Sequence, residues 1–237
     1  MHKDLVCVSV CVNYSDYLNL TLPFNLNHIN NKNYYIVTDE NDHKTANIVE
    51  KYKCNIIKTN LFYFNGAIFD KGRGIDYSLK QLHNDIQYVL YLDTDTIISK
   101  EFVDIDLNKL DKNKMYGTDR LHIDNEKEFN DFRNGKIGIK ELWKDNWGDF
   151  GWGYFQLFNL QFLKENKVYP LYPYHVDASF SDFLFRYRYG GSNNKMIKGK
   201  WMWDNRFQEK LPVCSISLTP VDNISNNAGR KSKLIDW

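Results

Sequence analysis

Asp93 and Asp95 stand two residues apart where the apolar run Tyr88-Val-Leu-Tyr-Leu92 breaks, before the chain turns apolar again at Thr96-Ile-Ile98. An unbroken run of β-formers reads as a buried central strand of an α/β sheet. Both carboxylates would then sit at its carboxyl end, where open α/β sheets bind ligands. Two hard oxygen donors with no thiol or imidazole beside them suit Mg2+ or Mn2+ shared with a diphosphate. Two acids after a strand also suit a helix cap, and the pair alone does not separate the two readings.

The elements that must position this pair are legible upstream. Residues 5–12 are continuous and rich in valine, and they end in the polar Asn13-Tyr-Ser-Asp16 before helical spacing resumes at residues 17–22. Residues 33–39 repeat the form, a short apolar strand closing on Asp39, with a helix expected over 44–52 and a third strand over 55–58. Leu79, Leu82 and Ile86 recur at helical offsets, which predicts a helix over 75–87 feeding the aspartate strand. Alternation of strand and helix implies a parallel sheet with right-handed crossovers. Asp39 would face the same crevice, where its carboxylate could bind ribose or base edges; a turn-forming role in Thr38-Asp-Glu-Asn-Asp42 competes.

Beyond residue 98 the pattern changes. Residues 104–150 read as charged and irregular, 151–158 as another strand, 179–189 as a short amphipathic helix, and 190–194 as a loop. The 237 residues fit one large α/β domain better than two, with 1–98 as a ligand and metal half and 99–237 as an acceptor half ending in a lid. Hydrophobic residues make up 43% of the chain and aromatic ones 16%, which excludes a disordered protein. Residues 183–237 carry ten Lys/Arg against four Asp/Glu although the whole chain is only +1, so a basic end could meet phosphates or simply be solvated. Cysteines at 7, 11, 54 and 214 form no C-x-x-C pair and read as reduced packing residues. The apolar run at 5–12 is too short to span a membrane, so no transmembrane segment and a soluble, cytoplasmic protein are expected.

The ordered set of Val12-Asn-Tyr-Ser-Asp16, Val37-Thr-Asp39, Lys71-Gly-Arg73, Leu92-Asp-Thr-Asp95, Gly153-Tyr-Phe-Gln-Leu-Phe158, Ser181-Asp-Phe-Leu-Phe-Arg186 and Gly229-Arg-Lys-Ser232 resembles the GT-A fold glycosyltransferases. The likeness is to the small family 2-like enzymes of phages, large DNA viruses and bacteria. It implies a single α/β domain, a mostly parallel central sheet flanked by helices, and sugar transfer from a nucleotide sugar, a UDP-sugar first, to an acceptor hydroxyl with inversion. Carried onto this sequence, Asp93 and Asp95 would hold Mn2+ or Mg2+ on the donor diphosphate, and Asp39 would contact the nucleoside. Asn13 and Tyr14 would flank the base. Lys71 or Arg73 would neutralise donor phosphate, although Lys71-Gly-Arg-Gly74 also reads as a flexible basic loop. Arg230 and Lys231 would close over the diphosphate as part of a lid.

On the acceptor side the resemblance implies Trp152, Tyr154, Gln156 and Asp177, with Asp182 as the general base that deprotonates the attacking hydroxyl. Asp182 also reads as a first-turn helix acid favoured by the macrodipole, and Asp177 stands in if the register shifts by a turn. The acceptor would be a glycan, a protein or a hydroxymethylated base in DNA. A nucleotide-sugar-binding module with a degenerate site is the reading from outside the enzymes. One departure supports it: many related enzymes place a metal-ligating His near the C-terminus, whereas Cys214-Ser-Ile-Ser-Leu-Thr-Pro220 carries none and no His follows His175. The metal would then rest on the two aspartates, phosphate and water, or take Asp222 as well.

Overall fold

In the computed structural model, residues 4–144, 154–167, 170–172 and 208–218 are described. Strands β1 (Leu5–Val10), β2 (Tyr34–Thr38), β3 (Asn55–Lys58) and β4 (Tyr88–Leu92) lie parallel in the order β3-β2-β1-β4. Helices α1 (Ser15–Asn25), α2 (His43–Tyr52) and α3 (Lys71–Gln81) alternate with them. β1, β2 and β4 are largely buried on both faces, which is why they read as near-continuous apolar runs, whereas the edge strand β3 leaves Ile56 and Lys58 exposed. Along β4, Leu90 and Leu92 pack with Leu18 and Leu22 of α1 on one face, while Val89 and Tyr91 pack with Ile75 and Leu79 of α3 on the other.

Past β4 the sheet becomes mixed. The remaining elements are β5 (Thr96–Ile98), β6 (Met115–His122), α4 (Glu126–Arg133), β7 (Trp143–Lys144), β8 (Phe155–Asn159), α5 (Leu160–Glu165) and β9 (Gln208–Ser217). β8 runs antiparallel to β4, and the path continues β8-β6-β9-β5, with β7 paired to β6. Only Asp93, Thr94 and Asp95 separate β4 from β5, yet four strand-to-strand steps divide them along the sheet. A flat sheet would set them roughly 19 Å apart, beyond the roughly 14 Å that so short a connection can reach. The sheet therefore curls, and the aspartate turn closes the curl.

Several boundaries differ from the sequence reading. α3 begins at Lys71, four positions earlier than expected, because the Asp70 carboxylate caps it by accepting the Arg73 amide at 3.0 Å. It ends at Gln81, where Leu82 turns extended. The described part of 104–150, residues 104–144, is not irregular: it holds β6 and α4, and 208–217 form a strand. α4 is capped by Asn125, which accepts the Glu128 amide at 2.9 Å, and it docks Phe129 and Phe132 against Phe24 of α1. The helix expected over 179–189 and the loop at 190–194 lie outside the described residues.

Candidate active site

The aspartate turn is gripped by backbone from both sides. The Asp93 amide donates to the Tyr154 carbonyl at 3.0 Å, and the Leu218 amide donates to the Asp95 carbonyl at 2.9 Å. Within the turn, the Thr96 amide closes on the Asp93 carbonyl at 3.0 Å. Helix α1 buries two polar side chains on its packed stripe to complete the support. Thr21 donates to the Thr94 carbonyl at 2.6 Å, and Asn25 bonds both the Thr96 carbonyl and the Ile98 amide at 2.9 Å each. Thr94 in turn donates to the Val10 carbonyl at 2.7 Å, which ties the turn to the end of β1.

The side chains at this turn converge from three elements. Asp93 Oδ1 accepts the Tyr91 hydroxyl at 2.7 Å and faces Lys71 Nζ at 3.4 Å. Lys71 belongs to the first turn of α3, its side chain only 4% exposed, with its ammonium 5.2 Å from the centre of the Tyr91 ring. A buried ammonium beside a carboxylate leaves a cation at the carboxyl end of β4 that an incoming anion could share. Asp95 is buried, and its Oδ2 accepts the Tyr14 hydroxyl at 3.3 Å. Tyr14 stacks on Tyr17 at 4.4 Å between ring centroids. Burial and then the Asp95 charge raise the Tyr17 phenol above its ordinary pKa.

Other residues singled out by the sequence occupy these positions. Asn13 is exposed with φ 53°, a left-handed conformation that Asn tolerates, and its amide donates to Asp42 Oδ2 at 2.8 Å. Asp39 follows β2 and accepts the Asn41 amide at 2.9 Å, the turn contact that competed with a ligand role. Arg73 pairs with Asp70 at 2.9 Å and lies 4.7 Å over the Phe64 ring, on the exposed side of the same helical turn as Lys71. Tyr154 is buried beside the aspartates and donates to the Thr118 carbonyl at 2.9 Å. Gln156 is fully buried in β8, its Oε1 accepting the Tyr172 hydroxyl at 2.8 Å. Trp152, Asp177, Asp182, Asp222, Arg230 and Lys231 lie outside the described residues.

The structure adds residues that the sequence did not mark. Asp42, rather than Asp39, is the buried hub of the β2 end: it caps α2, bonds Thr38 and Thr45, and fixes the Asn13 amide. Tyr91 looked like core yet bonds Asp93. Thr21 and Asn25 did carry a signal, two polar residues on an otherwise apolar helical stripe. Among the described residues no cluster of three His, Cys, Asp or Glu forms a metal cage. Asp93 and Asp95 fit a divalent cation of the kind held by one or two carboxylates together with substrate phosphates, since Asp93 keeps its side chain 25% exposed and commits only Oδ1 to Tyr91 and Lys71.

No family model matches the chain, and no curated protein matches it. Solved structures do. The chain is similar to S. aureus TarS 1-349 in complex with UDP-GlcNAc, at 17% identity over 90% of this chain and 58% of that one, with a TM-score of 0.55. A second structure of TarS 1-349 matches at 16% identity over 78% of this chain and 54% of that one, with a TM-score of 0.52. The chain thus spans little more than half of the TarS fragment. At this level the likeness defines the fold: a mixed α/β, GT-A-like glycosyltransferase fold. Among the described residues, no helix is long and apolar enough to cross a membrane.

Proposed function

We propose that this protein transfers a sugar from a nucleotide-sugar donor, of the UDP class, to an acceptor hydroxyl. The observation that carries the reading is the aspartate turn itself: two carboxylates at the carboxyl end of β4, with the buried Lys71 ammonium 3.4 Å from one of them. Charge builds on the departing nucleoside diphosphate as the glycosidic bond breaks, and a fixed cation there stabilises that charge most. TarS, which shares the fold, has been solved with UDP-GlcNAc, and this supports a UDP-sugar as donor. Mn2+ or Mg2+ on Asp93 and Asp95 would supply Lewis-acid neutralisation of the diphosphate.

The finer assignments follow from the family resemblance. Asp182 takes the proton from the acceptor hydroxyl, whose oxygen then attacks the anomeric carbon as the bond to the diphosphate oxygen breaks, inverting that centre. Asp39, Asn13 and Tyr14 line the nucleoside end, and Arg230 and Lys231 close over the phosphates. Trp152, Tyr154, Gln156 and Asp177 belong to the acceptor side.

Release of UDP from a panel of UDP-sugars with Mn2+ or Mg2+ tests the reading. Turnover is expected for the native chain, none for Asp95→Asn, and donor binding without transfer for Asp182→Asn. Absence of both donor binding and UDP release in the native protein would overturn the proposal.

A further inference from the structure

Arg120 lies in β6, close to the aspartate turn. Its Nη2 donates to Ser217 Oγ at 2.9 Å, and its Cζ lies 4.9 Å over the Tyr154 ring. These two contacts coincide with the two grips on the aspartate turn. The Tyr154 carbonyl accepts the Asp93 amide, and Leu218, the residue after Ser217, donates its amide to Asp95. The guanidinium is therefore braced by the same backbone that fixes the two carboxylates.

Its charge is unanswered among the described residues. No carboxylate pairs with Arg120, and the acid next to it in sequence, Asp119, is engaged by Lys144 at 2.8 Å and by Lys210. Among the described residues, Arg120 Nε is buried without a hydrogen-bond partner, and so is Thr96 Oγ1. Both belong to one face of three adjacent strands. Arg120 pairs in register with Ser215 and His122 with Ser217 across β6 and β9, while Thr96 pairs with Ser217 across β9 and β5. This face carries hydroxyls, an imidazole and one guanidinium where a packed sheet would carry apolar side chains. Buried donors of this kind are normally satisfied, and a planar guanidinium fork matches phosphate or carboxylate oxygens.

We infer that Arg120 binds an anionic group, phosphate or carboxylate, on the acceptor, and so selects acidic acceptors over neutral ones. This rests on the glycosyl transfer reading above. The acceptor is favoured over the donor because Lys71 already answers the diphosphate from α3. Arg120 projects instead from β6, in the later half of the sheet. Stacking on Tyr154 holds the guanidinium plane in place, which confers geometric selectivity that a lysine would lack.

Two readouts test this. In calorimetry the native protein is expected to bind glycerol 3-phosphate and not glycerol, and Arg120→Gln to weaken that binding about tenfold or more, the loss of one charge-assisted pair. Binding of UDP with Mn2+ should stay unchanged, and Arg120→Lys should keep part of the phosphate affinity. In transfer assays with matched neutral and phosphorylated or carboxylated acceptors, Arg120→Gln should raise KM for the acidic member only. Unchanged acidic preference in Arg120→Gln, with an unaltered thermal midpoint, would overturn the inference. A weakened donor affinity would overturn it too, by moving the contact to the diphosphate. If no UDP-sugar is turned over at all, the transferase reading falls and the acceptor role with it, whereas an Arg120-dependent phosphate affinity would still establish the anion site.

Discussion

The Thr21 hydroxyl donates to the carbonyl of Thr94, the residue between the two aspartates, at 2.6 Å. Thr94 is buried, so its carbonyl has no water to fall back on. Thr21→Val keeps the shape and removes the donor. A cost of about 1–3 kcal/mol in urea unfolding is expected. Metal affinity, read by Mn2+ titration of UDP release, should weaken alongside, because the turn loses one of its fixed points.

Lys71→Met should still fold, since the stem packs and the Asp93 carboxylate stays 25% exposed and bonded to the Tyr91 hydroxyl, while kcat falls by about a hundredfold, the scale of losing one preorganised stabilising group. Lys71→Arg should recover part of it. A Lys71→Met protein with native kcat would remove this side chain from the chemistry.

Gly74 faces the ring of Phe62 so closely that a Cβ there would overlap its edge. In a helix interior, Gly→Ala ordinarily stabilises by about 1 kcal/mol. Here the sign should reverse, with Gly74→Ala destabilising by about 1–3 kcal/mol as Phe62 is displaced. Thermal unfolding decides it. Phe62→Leu should restore the ordinary sign.

Burial pushes the Asp119 carboxyl up, but hydrogen bonds and charge from Lys144 and Lys210 outweigh it and leave the pKa below the usual value. A carboxyl held lower in the folded state stabilises fully above its unfolded pKa and loses that contribution as pH falls through the folded one. Asp119→Asn should therefore cost up to about 1 kcal/mol at pH 6, both lysines being largely solvated, and nothing near pH 2. Chemical denaturation at the two pH values measures the difference. A constant gap would show that the ion pairs are not its source.

In the parallel half, β1, β2 and β4 were readable because they are almost wholly buried and largely apolar; the short edge strand β3 leaves Ile56 and Lys58 exposed. β6 and β9 were not, for the opposite reason. Their shared face carries Arg120, His122, Ser215 and Ser217, β9 contains Pro212, and a register shift between Gly117 and Asp119 breaks any alternation in β6. The start of α3 is obscured because Lys71-Gly-Arg-Gly74 has poor helix propensity; the Asp70 side chain, a local cap on the Arg73 amide, starts it. At the site, Asp93 and Asp95 were legible as paired acids at the end of an apolar strand, whereas Lys71 was marked only through the family resemblance, together with Arg73. Tyr91 was not, since a tyrosine inside such a strand reads as packing until its hydroxyl has a partner.

The curl of the sheet also sets an order of assembly. β5 meets β9 across a long stretch of chain, as in the bond from the Cys214 amide to the Ser99 hydroxyl over 115 residues, whereas β1 to β4 pair over shorter separations, the widest joining Leu5 to Tyr88 and its neighbours. Loop closure disfavours the distant pairing until the local ones exist. A nascent chain would thus make its first four strands while the aspartates are still an open end, and fix the aspartate turn only when β9 arrives. Pulsed hydrogen exchange should find the amides of β1 and β4 protected well before that of Leu218, whose bond to the Asp95 carbonyl marks the closing of the curl.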